Sequence, residues 1–223
     1  MSGFRALLAL VAGLVALGCS GEGSSAQEAS VVPSDRGVVA ERADRARALG
    51  DTTAPIRVVE VSDFECPYCA RFYRETFPAI DSLYIETGQI EYLWISLASA
   101  NHSRAWPAAE AAFCAGAVGK FWPMHDLLFD NQDVWTEAEA PTETFVDYAR
   151  QLDIDEASYR ACVTEDRPAT LQVRDLQSVV RAGVSGTPFF IVNDEVPIQG
   201  AQPLEQFRSV IDSVLAAEES EGG

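Results

Sequence analysis

Positive charge is scarce in this sequence. Lys120 is its single lysine, and 16 basic residues face 34 acidic ones, which gives a formal net charge of −18. Nucleic-acid surfaces need clustered arginine and lysine, and anionic lipid attracts the same residues. The sequence therefore predicts neither a nucleic-acid partner nor adhesion to an anionic membrane, and we interpret the acidity as an aid to solubility.

A membrane-spanning run is also missing from the N-terminal region. The apolar run at 6–17 has 12 residues, too few to cross a bilayer, but after Arg5 its length suits the core of a signal peptide. We expect residues 1–18 to be that signal peptide and 19–35, rich in Gly and Ser, to be a flexible tether. The predicted location is the exported bacterial cell envelope, in the periplasm.

Residues 16–19, Ala-Leu-Gly-Cys, resemble the lipobox of bacterial lipoproteins. The resemblance implies that Cys19 is lipidated and becomes the mature N-terminus, so that the protein touches the membrane through a lipid anchor. The usual order of the first two residues is swapped here. Cleavage after the small residues 24–26 is the alternative, and it would discard Cys19.

Cysteine and histidine are few, with five and two residues respectively. No second CxxC or CxxH accompanies Cys66 and Cys69, so a closed zinc site with four ligands is not predicted. His102 and His125 are expected to be packing or surface residues. Cys114 and Cys162 form an even remainder, which in an oxidising compartment predicts a structural disulfide. Two buried free thiols are the alternative.

An apolar, strand-like run at 56–64 leads directly into Cys66-Pro67-Tyr68-Cys69. Two cysteines three apart at a strand-to-helix junction can open and close a disulfide at little structural cost, which indicates thiol–disulfide exchange. Pro67 suits the first helical position, and the helix dipole would stabilise a thiolate at Cys66. The apolar stripe that follows predicts Cys69 in the core and Cys66 at the exposed helix end.

The remaining pattern predicts an α/β domain over 36–217 with a frayed tail at 218–223. Its order is strand–helix–strand, a block of helices at about 103–183, and then strand–strand–helix, which predicts a mixed sheet flanked by helices. The predicted elements are a surface helix at 36–49, strands at 56–61, 89–95, 189–193 and 196–199, and a closing helix at 204–215.

Three segments of this chain resemble the DsbA-like branch of the thioredoxin superfamily. Residues 58–69 resemble its active-site strand and helix start, 121–129 resemble part of its helical insertion, and 183–191, with Gly-Thr-Pro, resemble its cis-proline segment. The resemblance covers about 50–217. It implies a thioredoxin fold with a helical insertion between the second and third core strands.

The resemblance also implies catalytic roles. Cys66 would be the nucleophile, and Cys69 the resolving thiol that releases the partner from a mixed disulfide. Pro188 would be the cis-proline beside them, and the backbone of Thr187 would pair with an extended substrate segment.

Four further residues near the cysteines are candidates. Glu60 would be a buried acid that moves protons for Cys69, or alternatively an exposed edge-strand residue. Pro67 and Tyr68 would tune the pair. Tyr68 cannot carry the positive charge of the histidine found there in Pro-His relatives, so we expect a weaker oxidant. Phe64 and Tyr68 are predicted to bind substrate through an apolar rim, although they could equally just pack.

The sequence thus predicts an exported protein-disulfide oxidoreductase, an enzyme that introduces disulfides into folding exported proteins with cysteines. The resemblance implies a membrane quinone-linked thiol oxidase as the recycling partner and no organic cofactor, because the redox-active disulfide carries the electrons. We expect a monomer.

Three alternatives remain open at this stage. A reductase or isomerase of the same fold would reverse the electron flow. A copper chaperone would use Cys66, Cys69 and a histidine as soft ligands, although no metal site is predicted. A tethered binding protein would have kept the fold and lost catalysis.

Overall fold

The computed structural model describes residues 30–221 of the chain. The predicted signal peptide at 1–18, the lipidation of Cys19 and the first part of the tether lie outside these residues. The described part builds one sheet with helices on both faces and a large helical insertion.

Within residues 30–221 a mixed sheet of five strands forms the centre of the fold. Its strands are β1 (Ala48–Gly50), β2 (Ile56–Ser62), β3 (Ile90–Ser96), β4 (Phe189–Val192) and β5 (Val196–Gln199). Their spatial order is β1-β3-β2-β4-β5. The central strand β2 runs parallel to β3 and antiparallel to β4, and the edge strands β1 and β5 are antiparallel to their neighbours.

Strand β2 is covered on both faces, as strands at the centre of an α/β sheet are. Ile56 and Val58 are buried with apolar residues of the first helix after the cysteines and of the closing helix. Val61, on the opposite face, packs against Val179. Because side chains alternate along a strand, Glu60 shares the face of Ile56 and Val58. The sheet therefore places a carboxyl group inside the core beneath the cysteines.

The helices follow the order predicted from the sequence. Each begins or ends near a proline, glycine or aspartate that the chain supplies there, as at Asp155, whose side chain caps the next helix. The helices are α1 (Arg36–Ala46), α2 (Pro67–Glu75), α3 (Phe77–Ile80), a π-helical turn (Asp81–Ile85), α4 (Ala105–Gly116), α5 (Phe121–Asp130), α6 (Gln132–Glu137), α7 (Pro141–Gln151), α8 (Glu156–Thr164), α9 (Ala169–Arg181) and α10 (Leu204–Glu221).

Helices α4 to α9 are inserted between β3 and β4. With β2, β3 and β4 as the core strands, the predicted α/β architecture with its insertion between the second and third of them is confirmed. Three residues, 193–195, join the last two strands. Asn193 and Asp194 both have positive φ, 52° and 60°, and the Glu195 N–H donates to the Val192 carbonyl oxygen at 3.2 Å, which closes the turn.

Strand β1 corrects the prediction of a helix over 36–49. Helix α1 ends at Ala46 because Arg47 turns inward, where its guanidinium pairs with Asp44 and Asp175 in the interior. The next three residues then pair with the edge of β3, and Gly50 leaves the strand with φ +91°. Buried ion pairing, which the helical pattern does not encode, decides this boundary.

The predicted tether and tail also differ from the structure at their described ends. Residues 30–35 are packed against the insertion: Val32 is buried and its N–H donates to the Ser158 hydroxyl at 3.0 Å. An apolar side chain thus finds a site that the Gly/Ser-rich composition did not suggest. At the other end α10 continues through Glu221, so 218–221 are helical rather than frayed.

Two prolines stand in the first turns of helices, where a missing N–H breaks no intrahelical hydrogen bond. Pro78 stands in the first turn of α3, after α2 ends at Glu75. Pro123 lies in the first turn of α5.

Candidate active site

The two cysteines lie at the start of α2. Cys66 is its N-cap residue with extended backbone, Pro67 occupies the first turn, and Cys69 lies one turn deeper and is fully buried. Cys66 was predicted at an exposed helix end, and this is wrong: only 4% of it is exposed. It is covered because the segment before Pro188 lies against it, with the Sγ of Cys66 3.5 Å from the carbonyl oxygen of Thr187.

The surroundings of the pair shift the pKa values of the two thiols in opposite directions. A hydrogen bond from the Cys69 thiol lowers the pKa of Cys66 to about 5 against the opposing effect of burial. Thr187 and the backbone N–H groups of Cys69 and Tyr68 lower it further. Burial raises the pKa of Cys69, and the nearby negative charges of Cys66 and Glu60 add to the rise. At neutral pH the reduced pair is therefore a thiolate at Cys66 and a thiol at Cys69.

Glu60 is a buried acid, which decides between the two interpretations of this residue. Only 2% of it is exposed, and its Oε2 accepts a hydrogen bond from the Tyr92 hydroxyl at 2.8 Å. Burial raises the pKa of Glu60, and the nearby His125 opposes the rise. Because its charge also raises the pKa of Cys69, the two groups are close enough for each to influence the proton of the other.

The segment at 183–188 forms the second wall of the site. The Thr187–Pro188 peptide bond is cis, and Pro188 is buried while Ser185 and Gly186 are exposed. This is the conformation that the resemblance implied for the segment. It brings the backbone of Thr187 directly over Cys66.

A cleft of about 890 Å³ opens beside Cys66. Its lining is mostly apolar and includes Leu176 and Val180 of α9, which are 38% and 63% exposed. Exposed aliphatic side chains beside a reactive group are typical of a surface that receives another apolar group. The remaining lining residues are Cys66, Pro67, Tyr68, those at 97–100, His102 and those at 183–187.

The predicted apolar rim is only half present. Tyr68 is 57% exposed at the edge of the cleft, with the Arg71 guanidinium 5.3 Å from its ring centre. Phe64 does not reach the rim: it is 1% exposed, and its ring stacks on Trp94 with centroids 4.6 Å apart. Its prediction as a substrate contact is wrong, because the chain that leaves β2 directs this ring into the core before it reaches the cysteines.

Three residues that the sequence did not single out as site residues belong to the site. Asp63 is buried and holds His102, whose Nδ1 lies 2.7 Å from the Asp63 Oδ2. Gln132, in the short helix α6, donates from Nε2 to the carbonyl oxygens of Phe64 at 2.6 Å and Cys66 at 3.1 Å. Asp63 lies in the run that leads to the cysteines, whereas no local pattern marks His102 or Gln132.

Cys114 and Cys162 are joined in a disulfide that links α4 to α8. Both residues are fully buried, and 48 positions separate them along the chain. Within residues 30–221 the free cysteines are Cys66 and Cys69.

Two further features bear on the alternatives. Across the described part of the chain no group of three or more His, Cys, Asp or Glu side chains is arranged to hold a metal ion. Among the helices between residues 30 and 221, none combines the length and the apolar character that a bilayer crossing requires.

Comparison with known proteins places these features in a family. A family model described as Thioredoxin matches residues 42–213. The chain is similar to the Na(+)/H(+) antiporter NhaA 3 of Salinispora tropica, at 38% identity over 151 residues, which are 67% of this chain and 22% of the antiporter. It is also similar to a provisionally named protein-disulfide oxidoreductase of Rickettsia typhi, at 28% identity over 65% of this chain and 53% of that protein. The chain thus spans between a fifth and about half of these relatives.

The crystal structure of Wolbachia pipientis alpha-DsbA1 has the same fold. The two superpose with a TM-score of 0.71 at 22% identity, covering 79% of this chain and 94% of the Wolbachia protein. The Thioredoxin family model also extends over more than three quarters of this chain, from residue 42 to residue 213. The chain belongs to the thioredoxin family, and its fold is that of the family's DsbA-like members.

Proposed function

We propose that this protein is an exported thiol–disulfide oxidoreductase that oxidises cysteine pairs in folding cell-envelope proteins. The observation that carries the proposal is that the pKa values of two neighbouring thiols at one helix start are shifted in opposite directions. The pKa of Cys66 is lowered to about 5, whereas that of Cys69 is raised by burial. A stable thiolate and a protonated partner in the reduced pair favour giving the disulfide away.

The first half of the reaction begins with the Cys66–Cys69 disulfide. A substrate thiolate attacks the Sγ of Cys66, a new sulfur–sulfur bond forms, and the bond between the two cysteines breaks. Cys69 leaves with the electron pair and takes up a proton, because burial disfavours its thiolate. Glu60, buried and with a raised pKa, is the proposed donor of that proton.

The second half releases the product. A second substrate thiolate attacks the substrate sulfur of the mixed disulfide, the substrate disulfide forms, and Cys66 leaves with the electron pair. Two electrons have then moved from the substrate to the cysteine pair. The two substrate thiols have lost two protons, of which one is on Cys69 and one is in solvent, because Cys66 stays a thiolate above about pH 5.

The cleft and the segment at 183–188 support a protein substrate. The apolar side chains Leu176 and Val180 offer contact for an unfolded segment, and Tyr68 lies exposed at the rim. We propose that an extended substrate strand lies along the Thr187 backbone, with Pro67 and Tyr68 against it, in the manner of strand addition. Unfolded or partly folded exported proteins present such segments.

The electrons must then leave the pair. We propose a membrane quinone-linked thiol oxidase as the recycling partner, with no organic cofactor on this chain, and a periplasmic location with the membrane reached through lipid on Cys19. The similarity to the provisionally named protein-disulfide oxidoreductase of Rickettsia typhi supports thiol chemistry. The Salinispora relative is named as an antiporter, and this chain matches 22% of it.

The test is disulfide transfer to a reduced, unfolded protein. We expect the oxidised full chain to oxidise reduced ribonuclease with loss of its own Cys66–Cys69 disulfide, one for one. A variant with Cys69→Ser cannot hold the disulfide and should oxidise no reduced ribonuclease. Given a substrate that already contains a disulfide, it should accumulate a mixed disulfide through Cys66, because the Cys66 thiolate attacks that disulfide and the resolving thiol is missing. If the chain transfers no disulfide but reduces insulin in the presence of a reductant, the reductase alternative is correct. Tight binding of Cu(I) without either activity would favour the metal chaperone.

A further inference from the structure

His102 lies in the loop between β3 and α4 and lines the same cleft as Cys66. Resting on the proposed function, we propose that His102, held in place by Asp63, is the positive charge that stabilises the Cys66 thiolate during disulfide exchange. It would serve from a distant part of the chain the purpose that Tyr68, between the cysteines, cannot.

Asp63 is fixed from three sides. Its side chain is fully buried; its Oδ1 accepts from the Glu65 N–H at 2.8 Å, and its Oδ2 accepts from the Ser99 N–H at 3.0 Å. The same Oδ2 lies 2.7 Å from the Nδ1 of His102. A carboxylate held by two backbone donors cannot rotate freely, so it fixes the histidine ring. With Nδ1 engaged, Nε2 is the ring nitrogen available to the cleft.

The groups around His102 favour its charged form. Burial opposes the charge, but the hydrogen bond and the charge of Asp63 raise the pKa of His102, and Glu65 and Cys66 raise it further. Arg104, two positions on, is directed elsewhere: its Nη2 donates to the Ala138 carbonyl oxygen at 2.8 Å. Asp63, Glu65 and the Cys66 thiolate are thus the charged groups that face the ring, and all three are negative.

Coupling between two titrating groups is reciprocal. If the Cys66 thiolate favours the protonated ring of His102, the protonated ring favours the thiolate by the same free energy. Asp63 and Glu65 stand within three residues of Cys66 in the sequence, so a protonated ring would also offset their negative charges.

His102 takes no part in the covalent steps. When the mixed disulfide breaks, the electron pair stays on the Sγ of Cys66, and the imidazolium faces the charge that appears there. When the Cys66–Cys69 disulfide forms again, that charge disappears. The pKa of His102 then falls, and part of its proton passes to solvent.

The first test is a histidine titration by NMR on the full chain in both redox states. The chain has two histidines, so the signal that disappears in the His102→Gln variant identifies the one of interest. We expect the titration midpoint of His102 to be higher in the reduced than in the oxidised protein by about half a pH unit or more, which is a ~3-fold change in proton affinity. In a Cys66→Ser variant, which lacks the thiolate, the midpoint should equal that of the oxidised protein. Equal midpoints in the two redox states would overturn the proposal.

The second test follows the Cys66 thiolate by its absorbance in the reduced protein. His102→Gln should raise the midpoint of the Cys66 titration by the same amount as the NMR difference, and His102→Lys should restore part of it. Arg45→Gln is the matched control. It removes one positive charge from an exposed ion pair with Glu41 on α1, and it should leave the midpoint unchanged.

The two proposals fail in different ways. If Cys66 and Cys69 form no reversible couple, the proposed function fails. If the couple is reversible and the Cys66 midpoint is the same in the unmodified chain and in the His102→Gln variant, only the role of His102 fails. Should that variant not fold, as judged by circular dichroism, the NMR midpoints of the unmodified chain in its two redox states decide the question alone.

Discussion

The molecule contains two cysteine pairs that share one chemistry and differ in their surroundings. Cys66 and Cys69 stand at the start of a helix beside an open cleft, with backbone N–H groups directed at one sulfur. Cys114 and Cys162 join two helices of the insertion, and both are fully buried. Under the proposed function, the comparison teaches that the environment would make one pair an exchanger and the other a structural link. A thiolate must be stabilised and reachable before a disulfide can be passed on.

The largest expected effect is on the rate of disulfide transfer, which should depend on the first cysteine pair and not on the second. Cys66→Ser removes the nucleophile, so we expect disulfide transfer to reduced ribonuclease to fall by ~10³-fold or more, since no other group can form the mixed disulfide. Replacing both Cys114 and Cys162 with alanine should leave the rate per folded molecule within about twofold, because neither sulfur reaches the cleft. Measurable transfer by the Cys66→Ser variant would break the comparison.

For stability we expect the reverse: removing Cys114 and Cys162 should destabilise the protein more than removing Cys66 and Cys69. Opening the 48-residue loop by replacing Cys114 and Cys162 with alanine should lower the free energy of unfolding by about 4 kcal/mol in the chain-entropy picture. Denaturant unfolding of the oxidised proteins measures it, with Cys66→Ser/Cys69→Ser as the matched control. If the two double variants lose equal stability, the second pair is not a special structural link.

Glu60 sharpens the comparison because a buried acid lies beneath the active pair. Glu60→Gln keeps the volume of the side chain and an oxygen for the Tyr92 hydroxyl, but it cannot carry a proton to or from Cys69. We expect the step in which Cys69 leaves and the mixed disulfide forms to slow by about 100-fold at neutral pH. Stopped-flow fluorescence would follow it, with the exposed Glu41→Gln on α1 as the control. An unchanged rate would remove Glu60 from the mechanism.

A pH dependence of the reduced protein sharpens the comparison further. In the folded state the pKa of Cys66 is about 5, against an ordinary value of 9.0. Below pH 5 the thiol is protonated in both folded and unfolded states and adds nothing. Between pH 5 and 9 the unfolded state binds more protons, so the stability contribution grows with pH; above pH 9 it is complete, and it is lost as pH falls through 5.

Thermal unfolding of the reduced protein against reduced Cys66→Ser checks this sign. The difference in melting temperature should widen from pH 5 towards pH 9, the interval between the two pKa values of Cys66. A difference that is flat across this range, or that narrows with rising pH, would contradict a stabilised thiolate at Cys66.

Much of the fold was available from the sequence because its signals are local. The β-branched run before the cysteines, Pro67 in the first turn of a helix and the Asn193-Asp194 turn each act within a few residues. The predicted order of strands and helices followed from such signals. The strand β1 did not, because it depends on Arg47 reaching Asp175, 128 positions away.

The site residues also fall into those that local sequence motifs indicate and those that only the fold brings together. The cysteines, Pro188 and Thr187 stand in contiguous motifs, and Glu60 stands in the strand that precedes the cysteines. Phe64 was misjudged because position along the chain does not tell on which side of the sheet a ring packs. His102 and Gln132 meet the cysteines only through the fold: 39 positions separate His102 from Asp63, and 66 separate Gln132 from Cys66. Local patterns in a single sequence do not indicate contacts between residues so far apart along the chain.

The central claim is that the surroundings of Cys66 make this pair a disulfide donor. Its most direct test is the reduction potential of the Cys66–Cys69 couple, from a glutathione titration of the full chain with Cys114 and Cys162 intact. A stabilised thiolate predicts a potential more positive than about −200 mV, above the glutathione couple. A potential of about −270 mV, which is that of thioredoxin, would contradict the account and make the protein a reductant.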